Sequence, residues 1–176
     1  MRKGSLQSMV LSAAFASVAI ALSGLSFPMG PVRCYPIQHA VNVVTGILLG
    51  PFWAVMSALV ASLVRNAMGT GTLFAFPGSL FGAFFVGMSA RHLSDKRVLF
   101  SASAEPLATG ILGAGTAALF VAPFLGKSMG FSFFVLSFCV SSVPGSLLGT
   151  VFVKFFLKKL GGKMNETDVV AAFRGK

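Results

Sequence analysis

The sequence predicts an all-α, polytopic integral membrane protein: one domain of six transmembrane helices. Three observations predict it. Of the 176 residues, 55% are hydrophobic and 10% charged, with a mean hydropathy of +0.86. A soluble domain carries roughly 25% charge, and a chain this short cannot hide so much apolar surface from water. Long charge-free stretches alternate with Gly, Pro and cationic breaks. When six spans are drawn, the cations fall largely on one side. These features exclude a soluble enzyme, a nucleic-acid-binding domain and a disordered protein. The net charge of +10 follows from few acids and basic loops, the usual membrane-protein pattern.

A helical span needs ~20 largely apolar residues to cross roughly 30 Å of hydrocarbon. The first is expected over 6–27. Its basic start, Met1-Arg2-Lys3, also has the form of a signal peptide, but the remainder of the chain is equally apolar. From Cys34 to Val64 there is no formal charge, and Gly50-Pro51 divides that stretch into spans 38–49 and 51–66. Pro51 suits the first position of a new helix. Gly69–Thr72 reads as a loop before the fourth span, 77–92. Arg91, Asp95, Lys96 and Arg97 mark a water-exposed loop. The fifth span is placed at 105–124 and the sixth at 131–157, kinked at Pro144. A polar tail, 161–176, follows.

Six spans put both termini on one side of a plasma membrane. With the termini in the cytoplasm, eleven cations lie inside: Arg2, Lys3, Arg91, Lys96, Arg97, Lys154, Lys158, Lys159, Lys163, Arg174 and Lys176. Three lie outside: Arg33, Arg65 and Lys127. Small residues recur every fourth position, as in Ala13/Ser17/Ala21 and Ser141/Gly145/Gly149, and let membrane helices approach closely.

Side chains able to bind a solute collect at the outer end. The Pro-rich loop carries Arg33, Tyr35, Gln38 and His39, and Asn42 shares a helix face with the last two. Arg65 and Asn66 close the third span at the same level, and Thr70, Thr72 and Phe76 follow. Polar groups at this depth are costly unless they are paired or face a cavity. Taken singly, Arg65 reads equally as a snorkelling side chain and His39 as a packed core residue. Together they make a pocket for a small polar aromatic molecule, with Tyr35 and Phe76 as ring faces.

Catalysis is not expected. His39 has no partner acid in view, and His92 and Glu105 sit towards the cytoplasmic end, Glu105 as a helix cap or in coupling. Neither a metal site, a disulfide framework nor a cofactor motif is legible from Cys34 and Cys139. Cys34 is expected to be reachable from outside, and Cys139 is not. No Walker A pattern occurs, so if the chain transports anything actively the energy must come from another subunit.

This organisation resembles the substrate-binding S component of energy-coupling-factor (ECF) transporters. The string Gly30-Pro31-Val32-Arg33-Cys34-Tyr35-Pro36-Ile37-Gln38-His39 is similar to the ThiW family, as are Asn42, Arg65-Asn66, Gly69-Thr70-Gly71-Thr72 and Phe76-Pro77-Gly78. The resemblance covers roughly residues 5–160. It implies an S-component-like bundle that captures hydroxyethylthiazole, a thiamine precursor, at the extracellular side. It also implies partners: a transmembrane coupling subunit and two cytoplasmic ATPase subunits. Ala13/Ser17/Ala21 resembles the face that meets the coupling subunit, with serine in place of one alanine. Two alternatives stay open: an S component for another vitamin or precursor, and a small membrane channel or scaffold outside the ECF group.

Overall fold

The computed structural model describes residues 3–93 and 95–160, so the tail 161–176 lies outside the described residues. Within them the chain forms six helices and one short hairpin. Helix α1 (Lys3–Ala21) tightens into 3-10 turns at Leu22–Leu25. The Pro-rich loop is a hairpin of β1 (Phe27–Met29) and β2 (Val32–Cys34), with Pro28 opposite Arg33. Gly30 supplies the positive φ of +59° that a two-residue hairpin turn needs, and Pro31 stiffens the next position.

Helix α2 (Pro36–Leu49) starts on a proline and stops at Gly50, whose φ of +85° no β-carbon would favour. Pro51 then opens α3 (Pro51–Ala67), as the Gly-Pro break predicts. Helix α4 (Ala75–His92) starts ahead of the expected Pro77. First-turn N–H groups have no partner within a helix, so Pro77 costs nothing there.

Helix α5 ends at Phe124, and Val98–Phe124 is its apolar span. It opens in 3-10 turns (Asp95–Ser103) and widens into π turns at Thr109–Gly113 and Ala117–Val121. The expected start at Glu105 is therefore late by roughly two turns. Glu105 stands in the first α-helical turn after that 3-10 segment, as expected of an acid near a helix start, but its carboxylate makes no cap and turns to side chains instead. Helix α6 (Phe131–Leu160) runs unbroken through Pro144.

Among the described residues, three stretches are long and apolar enough to cross a membrane: Ser5–Leu25, Val98–Phe124 and Phe131–Lys159. The shorter α2 is the centre of the bundle. It packs against α1, α3, α4, α5 and α6, and every residue from 41 to 49 is buried. Val43, Val44, Ile47 and Leu48 join Val86, Val153 and Leu157 in the main core. The outer surface is apolar, with Leu119, Phe120, Phe124 and Phe155 all exposed. A bilayer is the solvent that suits such a surface.

Two glycines fix how closely the helices around α2 approach. A β-carbon on Gly145 of α6 would collide with the Pro36 carbonyl and lie 2.6 Å from His39 Cβ. One on Gly82 of α4 would collide with Glu105 Oε1 and lie 2.6 Å from Thr109 Oγ1. Both positions border the polar interior described next.

Candidate functional site

At the hairpin end of the bundle, β2, α2, α3, α4 and α6 surround a pocket. Arg33, Tyr35, Gln38, His39, Arg65, Phe74, Gly78, Ser79, Ser137, Phe138 and Ser141 are among its walls. The free cavity between them is only about 20 Å³. Side chains must part for anything larger to enter.

β2 is tied to α6, which positions the first part of the wall. The Tyr35 N–H donates to Ser141 Oγ at 2.8 Å, and Cys34 Sγ donates to the Ser137 carbonyl at 3.3 Å. Cys34 is thus buried at 1% exposure, which corrects the expectation that it is open to reagents. Burial also pushes its thiol pKa up. Across the pocket, the Arg65 guanidinium lies 4.2 Å from the centroid of the Tyr35 ring, a cation–π contact. The Tyr35 hydroxyl and Arg33 Nη1 both donate to the Thr70 carbonyl, the latter at 3.2 Å.

Arg65 is 1% exposed. Its Nε and Nη1 have no protein partner among the described residues, and its Nη2 reaches only Ser62 Oγ at 3.5 Å. Gln38 Nε2 donates to Asn42 Oδ1 at 2.9 Å, which leaves the buried Gln38 Oε1 without a donor. The pocket therefore presents free donors and one free acceptor, flanked by the aromatic walls Phe74 and Phe138.

Behind the pocket lies a polar cluster that sequence reasoning missed. Glu105 is fully buried, and its Oε1 sits 2.7 Å from His39 Nδ1. Asn42 Nδ2 donates to the same oxygen at 2.9 Å and to the Ser79 carbonyl at 3.0 Å. Oε1 is therefore an acceptor, and Nδ1 carries the proton. Thr109 Oγ1 donates to Oε2 at 3.4 Å. His39 does have a partner acid, contrary to expectation. One signal pointed to it: Glu105 is the sole acid in the apolar stretch of α5, and an intramembrane ionisable residue is a functional candidate by default.

Of the sequence-derived site residues, Arg33, Tyr35, Gln38, His39 and Arg65 converge on the pocket. Asn42 stands behind them, with both amide hydrogens given to Ser79 and Glu105 and its oxygen accepting from Gln38. Asn66, Thr70 and Thr72 are not in the wall. Asn66 Nδ2 donates to the Ser62 and Thr72 carbonyls, and Thr70 Oγ1 to the Arg65 carbonyl, so these three staple the α3–α4 loop. Phe76 is a correction. It faces outward into a groove with Leu73, Phe120 and Phe124, and Phe74 takes the inward place. Ala13, Ser17 and Ala21 lie on the exposed face of α1, while Ser12, Ala16 and Ala19 pack inward. No cluster of three potential metal ligands occurs among the described residues.

Residues 9–159 match the family described as thiamine-precursor transporter protein (ThiW). The chain belongs to the ThiW family. ThiW members are transporters of a thiamine precursor, not enzymes. Among solved structures, the fold is similar to that of ThiT from Listeria monocytogenes, with a TM-score of 0.61. The two share 17% identity, and the match covers 88% of this chain and 94% of the other. At that identity the likeness is one of fold. No match was found among curated proteins.

Proposed function

We propose that this ThiW-family protein is the S component of an ECF transporter, and that it captures hydroxyethylthiazole at the extracellular side. A separate coupling subunit and two ATPase subunits then deliver the substrate. The observation that carries this reading is the pocket beside Tyr35. It combines aromatic walls with buried donors on Arg65 and a buried acceptor on Gln38, all without protein partners. A planar ring can lie against Phe74 or Phe138. Its nitrogen can accept from Arg65 while its hydroxyl donates to Gln38 Oε1. A polar group left unpaired in a buried site costs about 1–3 kcal/mol, so a ligand that satisfies both is strongly selected.

Both termini are placed in the cytoplasm of a plasma-membrane protein, which puts the hairpin end outside. The exposed Ala13/Ser17/Ala21 face of α1 is the surface offered to the coupling subunit. Equilibrium binding to the purified protein tests the substrate. Hydroxyethylthiazole is expected to bind more tightly than thiamine, the pyrimidine precursor or riboflavin. Tighter binding of any of those three overturns the thiazole assignment.

A further inference from the structure

We propose that the pocket prefers an anionic ligand, and that Arg65 is the seat of a carboxylate or phosphate carried on the ring. The proposal rests on the thiazole reading above and narrows it.

The twelve residues that line the pocket include two arginines and no Asp or Glu. The nearby acid, Glu105, is committed to His39, Asn42 and Thr109 and is not part of the wall. Arg65 forms no ion pair with any described residue. A fully buried guanidinium without a counter-ion is expensive, and a bilayer surround makes it more so. The Tyr35 ring covers the guanidinium at 4.2 Å, and Arg65 Nε and Nη1 remain without a protein partner among the described residues. An oxygen anion supplies what is missing. Hydrogen bonds between two charged partners are roughly twice as strong as neutral ones. Arg33, exposed at the rim, adds a second positive charge that draws an anion towards the mouth. Gln38 Oε1 remains to accept a hydroxyl proton, so a thiazole bearing both an anion and an alcohol uses both free groups.

The probes are hydroxyethylthiazole, its ring carboxylate and its phosphate ester, each titrated into the purified full-length protein at pH 7.5. The carboxylate, the ester or both are expected to bind at least about tenfold more tightly than the alcohol. Arg65→Gln is expected to bring that ratio to within about twofold, whereas Arg65→Lys retains part of it. If Arg65→Gln does not fold, the wild-type ratio decides on its own. An alcohol that binds as tightly as both anions overturns the anion preference and leaves the thiazole reading standing. Binding of none of the three overturns the thiazole reading itself.

Discussion

His39 of α2 and Glu105 of α5 meet at 2.7 Å, although 66 positions separate them and both are buried. This contact fixes the rotation of two helices about their axes. It also holds one wall of the pocket from behind, because His39 itself lines the cavity.

Glu105→Ala removes the acceptor for His39 Nδ1, Asn42 Nδ2 and Thr109 Oγ1 together. Breaking a buried pair from one side typically costs about 3–5 kcal/mol. A clear fall in melting temperature of the purified protein is expected. Glu105→Gln keeps the shape and should fall less; equal losses for both variants would show that the charge, not the shape, matters.

Asn42→Ala should act mainly on stability. Both amide hydrogens go to Ser79 and Glu105, and the oxygen accepts from Gln38, so it has no donor left for a ligand. Losing it costs about 1–3 kcal/mol for the partners left unpaired. Any loss of affinity is expected to come through Gln38, which turns once its anchor is gone. Unchanged thermal stability with abolished binding would instead make Asn42 a direct ligand contact.

Tyr35→Phe keeps the ring beneath Arg65 and removes only the hydrogen bond to the Thr70 carbonyl. A net bond of about 0.5–1.5 kcal/mol corresponds to roughly 2- to 12-fold. The change should appear as faster ligand dissociation, measured by stopped-flow or a chase experiment. Tyr35→Ala also removes the cation–π contact and should cost more.

Gly82→Ala puts a methyl group where Glu105 and Thr109 now sit. Overpacking of this kind costs typically 1–3 kcal/mol. Destabilisation is expected, with relief in the double variant Gly82→Ala/Glu105→Ala relative to the sum of the single changes. Strict additivity would place the clash elsewhere.

Orientation is best read from an exposed site. Met68, in the loop after α3, is 60% exposed and lies at the hairpin end. In a background lacking Cys34 and Cys139, Met68→Cys should react with a membrane-impermeant maleimide added to intact cells. Reaction from the cytoplasmic face alone would invert the orientation. Native Cys34 should react slowly, since it is buried and its raised pKa keeps the thiol protonated at neutral pH.

The six helices were legible because a bilayer forces backbone groups to pair within each segment. Charge-free stretches bounded by Gly50-Pro51 and by cationic loops therefore map onto helices with little ambiguity. The start of α5 was not legible, because Asp95–Ser103 winds into 3-10 turns before the α-helix begins, and that carried Glu105 to the wrong depth. Rotation was harder still. In a soluble helix the polar face marks the outside, but here both faces are apolar. Nothing in the string Phe74-Ala75-Phe76 says that Phe74 turns inward and Phe76 outward. Ser137, Phe138 and Ser141 escaped for the same reason. The residues that do line the cavity, Arg33, Tyr35, Gln38, His39 and Arg65, carry polar groups that the apolar surroundings must either pair or enclose.

The Thr70 carbonyl takes a hydrogen bond from the hairpin side twice over, through Tyr35 and through Arg33. One oxygen atom thus fastens the strand before α2 to the loop after α3. Pulling these two segments apart undoes both attachments in a single movement. That movement also withdraws the ring on which the Arg65 guanidinium rests. Parting hairpin from loop, breaking both hydrogen bonds and loosening the buried cation are therefore one mechanical event.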